Sequence, residues 1–260
     1  MLNVLFTTDV EIWPRHWELT PEHFARSFQD YIYGSTEKGD FGIPYMVSLF
    51  NEYDFKTVFF VEALFAGEFG VEPLREIVQL IEGAGQSVEM HLHSEWIGKA
   101  THSLLPGKSG INLRNFDYDD QLTMLRAGLE YLRAAGVDQI TAFRAGSYGA
   151  NVDTLRALDA LGIPFDSSYN ATNLGATSGL EELVDGELIA PSRIHNIWEF
   201  PIAHFQDRPG SQRHAQLGAC SASELCNALL GAWRADWKHF VIVSHSFELL
   251  TPDKTKPDPI

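Results

Sequence analysis

The sequence predicts an α/β domain built on a mostly parallel sheet or barrel. Strand-like and helix-like segments alternate along the 260 residues, no repeat is visible, and no linker divides the chain. Alternation of this kind is typical of βα units, in which helices connect parallel strands. Hydrophobic residues make up 45% of the chain and charged residues 21%, a composition that supports a buried core. We expect a single domain over residues 1–260, with an irregular, proline-containing tail from about residue 251.

The predicted strands are short segments rich in Val, Ile, Phe and Thr, the residues that strands prefer. They cover residues 2–8, 56–62, 87–92, 139–144, 163–167, 197–202 and 239–244. Helix-like segments lie between them. Thr20 and Pro21 form a typical helix start, with Thr as the N-cap and Pro in the first position. The predicted helices cover residues 21–33, 71–82, 118–135, 152–161 and 221–236, and longer polar stretches at 98–117, 170–196 and 204–220 are expected to be loops.

Charge and composition exclude several classes of partner. The formal net charge of -16 argues against a nucleic acid or an anionic membrane surface, because most of the protein surface would repel phosphate. No apolar stretch is long enough to span a bilayer, and no leader-like segment opens the chain. Cys220 and Cys226, the two cysteines, lie in or near one predicted helix, so we expect no disulfide framework and a cytoplasmic protein.

Two pairs of polar residues end predicted strands. Asp9 and Glu11 follow the first strand, and His91 and His93 end the third. Side chains two residues apart on a strand point the same way, so each pair can aim at one point. Imidazole nitrogens and carboxylate oxygens are ligands for divalent metals. The two pairs therefore predict a metal-dependent hydrolase.

Three further polar residues end predicted strands. They are Arg144, Asp166 and His245. In parallel α/β architectures the carboxyl ends of the strands lie on one edge, and that edge holds the active site. Five strand ends thus agree, and we expect residues that are far apart in the chain to meet there.

The order of these motifs resembles the polysaccharide deacetylases, the NodB-homology or carbohydrate esterase family 4. The resemblance runs from about Leu2 to Phe247, and its most specific part is Arg144 to Gly149. The matching stretches are Thr7-Thr8-Asp9-Val10-Glu11, His91-Leu92-His93, Phe143-Arg144-Ala145-Gly146-Ser147-Tyr148-Gly149, Asp166-Ser167-Ser168-Tyr169 and Val243-Ser244-His245-Ser246. The resemblance implies a distorted (β/α)7 barrel that removes acetyl groups from N-acetylated sugars with a divalent metal. It also extends to a branch associated with O-antigen gene clusters.

The resemblance implies a ligand set with one departure from the family pattern. Asp9 matches the catalytic base, and Glu11 is the expected metal carboxylate, with Asp9 as the alternative. The usual histidine pair is His-x-x-x-His, whereas here His93 stands two residues after His91 and Glu95 stands four after it. We favour His91 and His93 as ligands, with Glu95 as the alternative, and expect zinc as the metal.

The other matched residues receive roles around this metal. Asp9 takes a proton from the attacking water, Arg144 pairs with Asp9, and His245 protonates the leaving amine. Asp166 is expected to hydrogen-bond His245 or Arg144. The expected substrate contacts are stacking of a sugar ring on Trp13 or Trp96 and oxyanion binding by the backbone N–H near Tyr148.

The predicted function is removal of an N-acetyl group from an amino sugar in bacterial polysaccharide or O-antigen biosynthesis. The substrate is a small molecule or an oligosaccharide. One alternative is hydrolysis of another non-peptide C–N bond, in a formamide or a cyclic amide. The other is a catalytically inactive carbohydrate-binding protein, which the altered histidine spacing suggests.

Overall fold

A curled sheet of eight strands organises the chain in the computed structural model, which describes residues 1–183 and 186–258. The strands are β1 (Asn3–Val10), β2 (Ser35–Thr36), β3 (Gly39–Asp40), β4 (Val58–Glu62), β5 (Ser87–Leu92), β6 (Ala142–Ala145), β7 (Phe165–Asp166), β8 (Ser192–Ile194), β9 (Ile197–Glu199), β10 (His204–Arg208), β11 (Ser211–His214) and β12 (His239–His245). The sheet order is β12-β1-β4-β5-β6-β7-β9-β8, and every neighbouring pair is parallel except β8 with β9.

Helices fill the connections between these strands. They are α1 (Pro21–Phe28), α2 (Ile43–Glu52), α3 (Ala66–Phe69), α4 (Glu72–Glu82), α5 (Glu95–Lys99), α6 (Tyr118–Ala135), α7 (Val152–Leu161) and α8 (Ala222–Arg234), and α1 continues as a π-helix over Gln29–Tyr33. The prediction of an α/β class with a mostly parallel sheet is confirmed. Each predicted strand overlaps a strand of the large sheet.

Local sequence explains where the main helices begin and end. The Thr20 side chain caps α1 by accepting the N–H of His23, and Pro21 opens the helix as predicted. The side chain of Asp117 accepts the N–H of Asp120 at the start of α6, and Gly136 ends that helix with φ of 116°. A positive φ of this size is readily available only to glycine, so the chain can leave the helix sharply at this point.

Several elements differ from the prediction. The helix α2 was not predicted, although its buried Ile43, Met46, Val47 and Phe50 have helical spacing. Two predicted loops contain strands: β8 lies in the stretch 170–196, and the hairpin β10–β11 lies in 204–220. The described part of the tail, residues 251–258, forms turns closed by an isolated bridge between Leu250 and Pro257. None of the described helices is long and apolar enough to cross a membrane.

The register of the parallel strands brings the strand ends together. Asp9 is paired with His245 across β1 and β12, and His91 is paired with both Glu62 of β4 and Arg144 of β6. Large buried side chains such as Phe59 and Phe143 fill the space between sheet and helices. The polar strand ends therefore converge on one rigid edge of the sheet.

Candidate active site

Glu11, His91 and His93 form a buried cluster at the carboxyl edge of the sheet. The Nε2 atom of His91 lies 3.1 Å from Glu11 Oε1, and that of His93 lies 2.9 Å from the same oxygen. One ligand atom from each of the three residues can be chosen so that all lie within 4.8 Å of one another. Asp9, Glu11 and His245 form a second group by the same measure. The structure thus brings together the predicted ligands and their alternative, Asp9.

The remaining ring nitrogens of both histidines have acceptors of their own. His91 Nδ1 lies 2.7 Å from the carbonyl oxygen of Arg144, and His93 Nδ1 lies 3.2 Å from Glu95 Oε2. Because these oxygens only accept, Nδ1 would donate to them in a metal-bound site and leave Nε2 as the ligand atom, as is usual for metal-bound histidines. Glu95 therefore orients His93 from the opposite side of the ring and lies outside the described ligand groups.

Trp13 and Gly146 restrict the positions of the Glu11 and His93 side chains. The Trp13 indole N–H donates to Glu11 Oε2 at 2.8 Å, and its ring meets the His93 ring edge-on with centroids 4.6 Å apart. On the other side, a Cβ atom added at Gly146 would lie 2.6 Å from His93 Nδ1. Only glycine leaves room for the imidazole at this contact.

The donor set fits a divalent transition metal. Two imidazole nitrogens and one carboxylate oxygen are the ligands of many catalytic zinc sites, which keep a further position open. Burial raises the pKa of Glu11, but the charge of His93 and hydrogen bonds from His91 and His93 outweigh it and hold the pKa well below its usual value. Glu11 is therefore ionised, as a ligand must be.

Asp9 is paired with a fully buried arginine. Arg144 Nη1 donates to Asp9 Oδ1 at 2.7 Å, while its Nε and Nη2 atoms donate to the backbone oxygen and the hydroxyl of Ser167, each at 3.0 Å. The ring of Phe60 stacks against the guanidinium, 4.4 Å from centroid to Cζ. These contacts fix Asp9 beside the ligand cluster, because the arginine is held on three sides.

His245 has a partner that the sequence analysis missed. Its Nδ1 atom lies 2.8 Å from Glu248 Oε1, and its Nε2 atom lies 3.9 Å from Glu11 Oε1. Burial lowers the pKa of His245, but the hydrogen bond to Glu248 and the charges of Glu11 and Asp9 raise it to about 9. Gln216, whose side-chain nitrogen also contacts Glu248, connects this pair to His214 through a 2.6 Å hydrogen bond.

Asp166 does not make the predicted contacts. Its Oδ1 atom accepts a hydrogen bond from the Ser168 hydroxyl at 2.7 Å, and no described contact joins it to His245 or Arg144. Asp166 instead faces Glu199 on the neighbouring strand. Burial raises the pKa of both carboxyls. Arg144 donates its hydrogen bonds to Asp9 and Ser167, which explains why it does not make the predicted contact with Asp166.

The residues predicted to contact the substrate differ in whether they reach the cavity. Trp96 is wrong as a sugar-stacking residue, because it is 1% exposed and packs against Trp17 with centroids 5.1 Å apart. Trp13 and Tyr148 do line the cavity at the site. Ser147 and Tyr148 have φ of 52° and 58°, a left-handed backbone that is uncommon outside glycine and is often found at functional sites.

A cavity of about 290 Å³ opens over these groups, a size at the small end of ligand sites. It is lined by Asp9, Glu11, Trp13, His93, Glu95, Ala145, Ser147, Tyr148, His214, Gln216 and His245. His214 and Gln216 come from the hairpin region that was predicted as a loop, so their contribution could not be read from strand ends. Glu62, another missed residue, stands at the end of β4 and carries the same strand-end signal as the residues that were found.

Comparison with known proteins supports the fold. No protein-family model and no curated protein sequence matches the chain. Among solved structures, a candidate polysaccharide deacetylase from Mycobacterium smegmatis superposes with a TM-score of 0.58 at 22% identity, covering 95% of this chain and 77% of that one. The distorted (β/α)7, NodB-like fold predicted from the motifs is confirmed by this similarity.

Two other similar structures have lower scores. A carbohydrate esterase family 4 pseudoenzyme from Bacillus anthracis has a TM-score of 0.46 at 12% identity, with 94% of this chain and 54% of that one covered. A polysaccharide deacetylase from Bacillus cereus has a TM-score of 0.43 at 12% identity, with 95% and 80% covered.

Proposed function

We propose that the protein is a metal-dependent hydrolase that removes the N-acetyl group of an amino sugar in bacterial polysaccharide or O-antigen biosynthesis. The observation that carries the proposal is that the Asp9–Arg144 pair and the cluster of Glu11, His91 and His93 adjoin one cavity, which Asp9, Glu11 and His93 line. A base beside a set of metal ligands is an arrangement that suits hydrolysis of an unactivated amide.

Glu11, His91 and His93 would hold the metal, which we propose to be zinc. When bound, a divalent ion supplies Lewis-acid polarisation of the acetamido carbonyl and of a water molecule. The chain's own residues hold the reacting groups around it. The Trp13 N–H and the Nδ1 partners of the two histidines keep the ligands oriented.

Asp9 accepts the proton of the attacking water. Its carboxylate lies in the cavity wall, and Arg144 fixes its direction through the 2.7 Å contact to Oδ1. His245 delivers a proton to the leaving amine from Nε2, the ring atom that faces away from Glu248. Because the pKa of His245 is raised to about 9, the ring is protonated at neutral pH and ready to act as the acid.

The cavity suits a compact group. A volume of about 290 Å³ accommodates one sugar ring with its acetamido group, with Trp13 and Tyr148 on the walls. The same small volume also favours the second candidate function, hydrolysis of a formamide or a cyclic amide. The third candidate function is a binding protein without activity. The presence of a base, metal ligands and an acid around one cavity does not favour it.

The test compares product release across substrate classes. Chelator-stripped protein, before and after zinc is restored, is incubated with N-acetylglucosamine, its β-linked oligosaccharides and its nucleotide conjugate, and with a panel of formamides and cyclic amides. We expect zinc-dependent release of acetate from the N-acetylated sugars. Formate release or ring opening without acetate would favour the second function, and sugar binding by calorimetry without any product would favour the binding protein.

A further inference from the structure

Glu62 is a buried carboxylate at the end of β4 that has no place in the proposed chemistry. It is 1% exposed and lies outside the ligand groups found among the described residues. Its oxygens accept three backbone N–H groups: Oε1 those of Leu64 at 2.9 Å and His93 at 3.4 Å, and Oε2 that of Phe65 at 3.2 Å. The carboxylate therefore connects the turn after β4 to the main chain of His93.

His93 lies just beyond the hydrogen-bonded part of its own strand. The strand β5 ends at Leu92, whose partner in β6 is Ala145, and the last pairing with β4 joins His91 to Glu62. The N–H of His93 is thus past the ladder on both sides. Glu62 supplies the acceptor that a longer strand β4 would otherwise provide.

We propose that Glu62 is a positioning residue for the ligand His93 and thereby sets the metal affinity of the site. This inference rests on the proposed function, because it concerns the same metal. His91 is held inside the strand, but His93, which is two residues later, has to reach Glu11 Oε1 at 2.9 Å from outside it. The ring is already confined by Gly146 and Trp13, so a shift of the main chain at His93 moves Nε2 directly.

Glu89 provides a matched control for a purely structural role. Its carboxylate also connects neighbouring strands, accepting the N–H groups of Thr141 and Ala142 and the Thr141 hydroxyl, each at 2.7 Å. It lies within β5 before His91, and it lines a different cavity from the candidate active site. Loss of either carboxylate removes backbone hydrogen bonds, but only Glu62 contacts a ligand residue.

The experiment measures zinc affinity and metal-free stability of Glu62→Met and Glu89→Met, in which a side chain of similar length has no oxygen to accept the backbone N–H groups. Zinc affinity is obtained by competition with a chromophoric chelator, and stability by urea unfolding in the presence of excess chelator. We expect both variants to lose stability and Glu62→Met alone to lose zinc affinity, by about 10- to 100-fold as for other residues that support a metal ligand. Equal zinc affinity in Glu62→Met and wild type, or an equal loss in Glu89→Met, would overturn the inference.

Glu62→Asp keeps the test decisive if Glu62→Met does not fold. It keeps the carboxyl group but is one methylene shorter, so it cannot reach His93 while holding Leu64 and Phe65. We expect the same loss of zinc affinity, and wild-type affinity would overturn the inference. Absence of acetate release together with the expected affinities would overturn only the proposed deacetylation. Absence of zinc binding by the wild type would overturn the metal site and the inference together.

Discussion

Arg144 Nη1 lies 2.7 Å from Asp9 Oδ1, although 135 residues separate the two in the chain. Both side chains are almost completely excluded from solvent, at 0% and 4% exposure. A buried pair of this kind is costly to desolvate, and removal of one partner leaves an uncompensated buried charge. Here the pair fixes a carboxylate at the wall of the cavity that also holds Glu11 and His93.

Asp9→Asn tests the role of the base. The amide keeps the shape of the side chain but cannot accept the proton of water, so we expect acetate release to fall by about 10²- to 10⁴-fold while zinc stays bound. Acetate assays and metal analysis of the same samples measure this. Asp236→Asn, at an exposed position before β12, is the control and should keep wild-type activity. Loss of zinc from Asp9→Asn would show that Asp9, and not Glu11 alone, is a ligand.

Arg144→Met tests the buried ion pair. Removal of the guanidinium leaves the Asp9 carboxylate buried without its partner, so we expect unfolding to become about 3–5 kcal/mol easier. The exposed pair Arg156–Asp153 has the same 2.7 Å distance, and Arg156→Met should cost about 1 kcal/mol or less. Urea unfolding of the two variants measures the difference. Similar losses of unfolding free energy in the two variants would contradict the claim that Arg144 compensates the buried charge of Asp9.

Glu248→Gln tests the proton donor. Burial lowers the pKa of His245, but Glu248 and the charges of Glu11 and Asp9 raise it to about 9, so the protonated acid persists until the pH passes about 9. Without the Glu248 charge the pKa falls toward its usual value, and the alkaline limb of kcat/KM should move to lower pH. Rate profiles between pH 6 and 10 measure the shift, with Glu224→Gln on the surface as control. An unmoved alkaline limb would exclude His245 as the acid.

Glu199→Gln tests the pair that Asp166 forms. Burial raises the pKa of both carboxyls above their unfolded values, so the folded state keeps a proton that the unfolded chain releases above about pH 4.5. The stability from this proton is therefore present at low pH and is lost as the pH rises through the folded pKa. Urea unfolding at pH 5 to 8 with excess chelator should show a shallower decline for Glu199→Gln than for wild type. Parallel curves would contradict the raised pKa values of these two carboxyls.

Gly146→Ala tests how tightly His93 is held. The added methyl group would lie 2.6 Å from His93 Nδ1, so the ring has to move and zinc affinity should fall by about tenfold or more. Gly231→Ala in α8 is the control, because its Cβ would meet nothing within 4 Å among the described residues. Chelator competition measures both. Retained affinity in Gly146→Ala would mean that the site tolerates a displaced imidazole.

The sequence allowed us to predict those site residues that a local pattern, the end of a strand, identifies. Asp9, Glu11, His91 and His93 each end a strand, and parallel strands bring such ends to one edge whatever the loops do. The structure brings all four together, and it is their chemical roles that stay predictions. Glu62 carried the same strand-end signal, but its hydrogen bonds to backbone N–H groups depend on how two turns meet.

The missed and corrected residues depend on tertiary packing. The polar stretch 204–220 gave no sign that its hairpin brings Gln216 to Glu248 and His245. Trp96 follows the histidines closely in sequence, yet the short helix α5 turns its side chain into the core. Asp166 ends a strand as predicted, but the residue paired with it on the neighbouring strand is another buried carboxyl, Glu199, which no strand-end pattern specifies.

The central claim is that Glu11, His91 and His93 hold one divalent metal. X-ray absorption of zinc-loaded protein, combined with metal analysis, tests it most directly. The account predicts one zinc per chain, with two imidazole nitrogens and otherwise oxygen in its coordination shell, and loss of one imidazole in His93→Ala. Sulfur in the shell, or less than about a tenth of an equivalent of zinc after growth with the metal, would contradict it.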